Sequence, residues 1–408
     1  MALFALAACT SDPPPMTQDQ LMDPQACAQC HPTHVGQWSG SMHAYAADDP
    51  VFVAMNARFQ REVASSGADP SFCVKCHAPI ALATGATSDG ANLATLDAKL
   101  RGVTCFYCHA QKDGTLAGPI SDPAGGASHK SMYSASLDLQ DPSSSAFCGT
   151  CHDVANGHGA TVEATFSEWK ASLYAQSNPI VNETCGACHT VSSLGAASTT
   201  SGAPTRRIHD HSMAALDVAT TPFPNQDAQK TLVQQTLDAS IVAKLCVAQP
   251  TGAPNVTVTL DNAFVGHAFP SGAAHDRRVW VELHAYASGT DVLADSSWVM
   301  RTNLFDASNQ PVKFLWQASS VDSSLLLPPA VTNDPNDPKF VHSVSRTFAP
   351  PPSADRVTMI VHAQAFGDDV LADLVDGGDL SPSVKVPVFD LAGTKLEWTQ
   401  SMGYRCVP

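Results

Sequence analysis

The chain has 408 residues, a formal charge of −16 and only 15% charged residues, against about 25% in ordinary domains. This acidity and the lack of any basic run argue against nucleic acid as a partner. No apolar run approaches the roughly 18 residues that cross a bilayer, so membrane contact is expected only through a lipid anchor.

Taken in chain order, the first signal is Cys9, which ends the apolar stretch Leu3-Phe4-Ala5-Leu6-Ala7-Ala8. Leu6-Ala7-Ala8-Cys9 reads as a bacterial lipobox, where the signal is cut before Cys and the thiol is acylated. The basic region of a full signal is missing, so a start upstream of Met1 is expected. An incidental Cys in an ordinary N-terminus is the other reading. Residues 10–24 hold Pro13, Pro14 and Pro15 among polar residues. Residues 1–24 are therefore read as a truncated lipoprotein-type signal and a Pro-rich tether.

Five copies of Cys-x-x-Cys-His follow. They are Cys27-Ala28-Gln29-Cys30-His31, Cys73-Val74-Lys75-Cys76-His77, Cys105-Phe106-Tyr107-Cys108-His109, Cys148-Gly149-Thr150-Cys151-His152 and Cys185-Gly186-Ala187-Cys188-His189. Chance gives ~0.02 such pentapeptides in a chain with this many Cys and His, and each is the attachment signal of a c-type haem. Two thiols bond the porphyrin, and the adjacent His ligates its iron from the proximal side. A zinc site or a disulfide framework would not require His after the second Cys five times over. Five covalently bound haem c groups are expected, held by ten Cys and by His31, His77, His109, His152 and His189.

The motifs are separated by 41, 27, 38 and 32 residues, rich in Ala, Gly, Ser and Pro. Residues 25–215 are read as a pentahaem domain, mainly α and irregular, whose porphyrins supply much of the buried apolar surface. One repeat stands out within it. Trp38-Ser39-Gly40-Ser41-Met42-His43-Ala44 matches Trp169-Lys170-Ala171-Ser172-Leu173-Tyr174-Ala175. Tyr174 replaces His43, and Tyr is the rarer haem ligand. Two unrelated amphipathic helices are the alternative.

Residues 226–245 carry Leu232, Leu237, Ile241 and Leu245 at helical spacing, which predicts a connecting helix within 216–246. Beyond Cys246 the period changes to two. Strands are expected at 256–260, 279–283, 298–305, 313–317, 340–348, 357–366, 384–391 and 395–399, punctuated by Gly, Pro, Asn and Asp. Residues 247–408 are read as an all-β domain, an immunoglobulin-like sandwich. Cys246 and Cys406 are the unassigned pair that brackets it. In an oxidising compartment they form a disulfide, or they stay as two buried thiols.

Gln37-Trp38, Ser41 and His43-Ala44 resemble the segment after the first haem site in bacterial multihaem cytochromes c. These are related to the tetrahaem cytochrome c-554 and to the multihaem hydroxylamine oxidoreductases. Cys76-His77-Ala78-Pro79, Gly102-Val103-Thr104-Cys105, Phe147-Cys148-Gly149 and Glu168-Trp169 fit the same pattern. Gly266-His267-Ala268-Phe269-Pro270-Ser271-Gly272 resembles a segment found where such cytochromes carry a C-terminal β domain. The resemblance implies that His43 is a distal iron ligand. His267 follows, because its Gly and Pro neighbours let backbone approach a macrocycle. His129, and His209 or His211, are further candidates, with His34 and His158 in reserve. His284, His342 and His362 fall on predicted strands and are expected to be structural. Arg206, Arg207, Arg277 and Arg278 are expected to neutralise propionates or to be solvated charge. With four supported distal positions for five irons, one haem is expected to be a candidate for five-coordination.

The expected function is electron transfer in an extracytoplasmic bacterial respiratory chain, with the protein periplasmic or anchored at the outer membrane through Cys9. Its partners would be other redox proteins, cytochromes or quinol-linked complexes. The alternative is a multihaem oxidoreductase acting on a small nitrogen or sulfur oxyanion at one open haem, although no Cys-x-x-Cys-Lys variant occurs. A third reading is a structural assembly with ligands donated between subunits.

Overall fold

The computed structural model describes residues 16–63, 67–110, 116–117, 133–134, 137, 139, 141–176, 182–249, 254–262, 264–293 and 296–407. Cys9 and His129 lie outside the described residues. Up to residue 190 the chain is built from short helices, among them Pro32–Ser39, Met42–Tyr45, Pro50–Val63, Val74–His77, Pro79–Ala83, Cys105–His109, Thr165–Ala171 and Cys185–His189. Pro32 and Pro79 open their helices, where the missing N–H costs nothing and the fixed φ is already helical. Short pairs, antiparallel Val154–Ala155 with Thr161–Glu163 and Ser192–Ala196 with Thr205–His209, and parallel Leu116–Ala117 with Tyr133–Ser134, add a small amount of sheet in this part. No helix among the described residues is long and apolar enough to cross a membrane.

Two antiparallel sheets make up most of the C-terminal part. One places Ser343–Phe348, Asn255–Asp261, Val242–Ala248 and Cys406–Val407 side by side. The other orders Thr290–Asp291, Arg278–Ala287, Arg356–Gln364 and Val388–Thr399, with Trp298–Met300 also paired to Arg278–Ala287. Alternate residues face inward, Val256, Val258 and Leu260 from the first sheet and Val279, Val281 and Leu283 from the second, all within one buried cluster. This is the period-two pattern of half-buried strands. Cys246 and Cys406 are register partners and are joined by a disulfide.

Several elements differ from the sequence reading. The connecting helix is Gln226–Asp238, and Val242–Ala248 is a strand in the first sheet. Ala243, Leu245 and Val247 are buried in alternation there, and a short apolar run carries both periods until a partner strand selects one. The run 313–317 forms a turn of 3₁₀ helix, Leu315–Gln317, because Phe314 and Trp316 are anchors to the haem-motif part. The helix Asp368–Asp376 was not anticipated.

The two parts share one apolar cluster. Val51, Met55 and Phe59 of the helix Pro50–Val63 join Val233 and Leu237 of Gln226–Asp238 and the inward residues of both large sheets. Phe59 meets Trp316 edge-on at 5.6 Å, Trp316 Nε1 donates to Glu62 at 2.7 Å, and Arg58 lies 4.7 Å over the Phe314 ring. A second seam ties the loop after Asn255–Asp261 to the helix Thr165–Ala171. Ala268 N–H and Ser271 Oγ both donate to Glu168, and Gly272 N–H donates to Thr165 Oγ1. Gly272 takes φ +71°, a conformation that favours glycine.

Because Phe59 serves the common core, Phe59→Ala is expected to lower stability by about 3–5 kcal/mol. Soret and far-UV circular dichroism signals of the holoprotein should then fall together in one urea transition. Two separated transitions would contradict a shared core.

Candidate functional site

Three of the five motif histidines are held by backbone carbonyls. His31 Nδ1 lies 2.6 Å from Ala197 O, His77 Nδ1 3.0 Å from Ala46 O and His189 Nδ1 3.2 Å from Ala214 O. The same contact recurs at His211, on the carbonyl of His209, and at His267, on that of Ala268, both at 2.9 Å. A carbonyl only accepts, so Nδ1 carries the proton and Nε2 keeps the lone pair a metal needs.

Three motif imidazoles face an imidazole from elsewhere in the chain. The ring centroids of His109 and His211 are 6.2 Å apart, those of His152 and His43 6.3 Å, and those of His189 and His267 6.4 Å. A metal–imidazole bond is about 2 Å, so two rings on opposite sides of one metal have centroids roughly 6 Å apart. The three separations fit that requirement. His77 instead stacks on Phe52, 3.9 Å away and within 3° of parallel, and among the described residues no imidazole opposes it. The ring neighbour of His31 is His34, three residues on and 6.2 Å away.

Burial tunes these groups. It pushes His43, His211 and His267 down to about 4, so they are neutral and have free lone pairs at ordinary pH. His77 and His189 are lowered by burial as well. His152 moves the other way, raised by Glu163, whose carboxylate lies 3.8 Å from Nδ1. Burial opposes ionisation of Glu163, but His152 and Arg277 outweigh it and hold the carboxyl below its usual range.

The cysteines report how the motifs pack. The thiols of Cys27 and Cys105 lie close enough to perturb each other, as do those of Cys76 and Cys151 and those of Cys148 and Cys185. Cys108 lies close enough to Cys151 and Cys148 to perturb them electrostatically, and Tyr107 packs on Phe147 at 5.7 Å. The first motif therefore touches the third, the third touches the fourth, and the fourth touches the second and the fifth.

Other predicted residues fall as follows. His209 is buried, with Nδ1 on Thr190 O at 2.9 Å, and among the described residues no motif ring stacks on it. His34 lies 4.8 Å from His211, and His158 is exposed in a loop. His284, His342 and His362 pair with carboxylates on the strands, as expected of structural residues. Arg277 Nη2 binds Asp217 at 2.8 Å, and Arg278 is held by Asp369, so chain carboxylates already occupy both. The buried Nε atoms of Arg206 and Arg277 have no hydrogen-bond partner, which leaves room for one propionate contact each. Residues not foreseen from sequence are Glu163, Phe52, Met213, whose Sδ lies 2.7 Å from His43 Nδ1, and the buried pair His275–Asp276. None of these carries a spacing signal; only contact across the fold reveals them.

The family described as cytochrome c554 and c-prime matches residues 26–110, the stretch that holds the first three motifs. No curated protein matches the chain. Among solved structures, a penta-heme cytochrome c552 from Thermochromatium tepidum is similar in fold, with a TM-score of 0.63 and 19% identity. The match covers 94% of this chain and 98% of that one. The profile match over residues 26–110 and the fold likeness both point to the multihaem c-type cytochromes, in agreement with what Cys-x-x-Cys-His demands chemically.

Proposed function

We propose that the chain holds five haem c groups and transfers electrons between extracytoplasmic redox partners. The observation that carries this is the set of three opposed imidazole pairs at one spacing. We assign His211 as distal ligand to the third motif, His43 to the fourth and His267 to the fifth. His129 and His209 are the candidates for the irons of His31 and His77. When bound, haem iron supplies a one-electron couple, and paired His ligands favour a low potential.

The rest is done by protein groups. Carbonyls fix the tautomer of His31, His77, His189, His211 and His267, and burial keeps His43, His211 and His267 neutral. Neighbouring motifs lie close at their cysteines, in the order one, three, four, with the fourth as a junction to the second and fifth. The net charge of −16 favours a partner with a basic docking face, mainly by speeding encounter. We read the two large sheets as an immunoglobulin-like module that delivers His267, and Leu6-Ala7-Ala8-Cys9 as a lipid-anchoring signal for export.

A second reading, an oxidoreductase acting on a small nitrogen or sulfur oxyanion, is favoured by one observation. The ring beside His77 is the phenyl of Phe52. A room-temperature spectrum with a high-spin component that shifts under carbon monoxide, with turnover of nitrite, hydroxylamine or tetrathionate, would support it. A purely low-spin spectrum indifferent to carbon monoxide leaves electron transfer alone.

His43→Ala, His211→Ala and His267→Ala are each expected to convert one low-spin iron to high-spin, read by electron paramagnetic resonance. Unchanged spectra would overturn the assignments. Glu163→Gln removes the carboxylate that makes His152 more basic. One midpoint potential should rise by on the order of 60 mV, the one-electron equivalent of a tenfold change. Spectroelectrochemical titration checks this, and a fall or no change would contradict it.

A further inference from the structure

We infer that the haem-motif part contains the same positioning clasp twice, built on Trp38 and on Trp169, and that each clasp sets one motif against its neighbour. In the first copy Trp38 Nε1 donates to Val103 O at 2.8 Å, and Val103 N–H donates to His43 O at 2.8 Å. In the second, Trp169 Nε1 donates to Glu183 O at 2.9 Å, and Glu183 N–H donates to Tyr174 O at 3.0 Å. Both peptide groups thus have their carbonyl gripped by an indole and their N–H gripped by a residue five positions after that indole. Val103 and Glu183 each stand two residues before the first Cys of a motif, Cys105 and Cys185.

The surrounding parts correspond too. Ser41 and Ser172 are 0% and 1% exposed and accept from the N–H of Ala44 and of Tyr174, starting the short helical turn that carries His43 or Tyr174. Thr104 and Thr184, both buried, precede the clasped motifs. The thiol contacts repeat as well, Cys27 with Cys105 and Cys148 with Cys185, in each case first Cys to first Cys. Two independent hydrogen bonds, a buried cap and a cysteine contact therefore recur in one order. The first copy differs in carrying residues 44–102, with the second motif, where the second copy has only 175–182.

The copies diverge where the ring is presented. His43 faces His152, whereas Tyr174 and Trp169 pack under Gly266, the residue before His267. A Cβ at Gly266 would meet Trp169 Cδ1 at 3.3 Å and Tyr174 Cδ2 at 3.4 Å. The second clasp thus forms the floor of the loop that brings His267 to His189. Trp38, Trp169 and Tyr174 are positioning residues, acting through the backbone and through Gly266. The consequence for potentials rests on the ligand assignments above; the clasp itself does not.

The test is Trp38→Phe and Trp169→Phe in the holoprotein, which remove the indole donor and keep an aromatic ring. Hydrogen exchange by mass spectrometry should quicken roughly three- to tenfold at the peptide holding Val103 in the first variant, and at that holding Glu183 in the second. The midpoint potential of the haem on the loosened motif should shift, with the other copy unmoved. Exchange that quickens in both copies or in neither, or that quickens with no potential moving, overturns the proposal. Should Trp169→Phe fail to accumulate, Gly266→Ala, which crowds the same floor from the other side, should shift only the His189 signal. No shift there is equally decisive. Failure of the ligand assignments would show separately, as His43→Ala and His267→Ala staying low-spin.

Discussion

Two imidazoles facing each other across roughly 6 Å are costly to arrange without a metal between them. Each must be held in one direction through a ring nitrogen. In this chain a backbone carbonyl holds His189, His211 and His267, which fixes both tautomer and direction without adding charge. His43 rests on Met213 Sδ instead, and the partner of His152 is the carboxylate of Glu163. The site with an ionised second partner is also the site whose cysteines touch three other motifs. The junction of the assembly is therefore the place where local charge differs most from its neighbours.

The sheets are more than an appendage to this arrangement. Asn255–Asp261 ends at Asn262, whose side chain donates to His267 O, and the loop that follows is tied to Glu168 and Thr165. His267 is thus placed by contacts from both parts at once. The helix Pro50–Val63 works in the other direction, since it lies among the motifs and sends Val51, Met55 and Phe59 into the core of the sheets. Such reciprocal anchoring gives each part a role in the other's stability.

The five Cys-x-x-Cys-His pentapeptides were legible as candidates because the attachment signal of a c-type haem is contiguous in sequence. His43, His211 and His267 were legible as candidates, but the partner of each was not. The pairing joins residues far apart in sequence, and nothing at residue 43 encodes residue 152. The alternation along Asn255–Asp261 and Arg278–Ala287 announced strands on its own. Val242–Ala248 and Leu315–Gln317 did not, because their conformations are chosen by a partner strand and by the Phe59–Trp316 contact. The Trp-x-x-Ser repeat was visible as a string of letters. Its meaning depended on Val103 and Glu183, two unremarkable residues whose peptide groups are what the repeat grips.

The meeting of cysteines from different motifs bears on how such a chain matures. In the folded arrangement Cys27 lies against Cys105, Cys76 against Cys151 and Cys148 against Cys185. An exported polypeptide that reached this arrangement with bare sulfhydryls would be poised to cross-link the wrong pairs under oxidising conditions. Cys246 and Cys406, by contrast, must oxidise to each other. Haem attachment on a still open chain, before the motifs close onto one another, would spare the polypeptide that hazard.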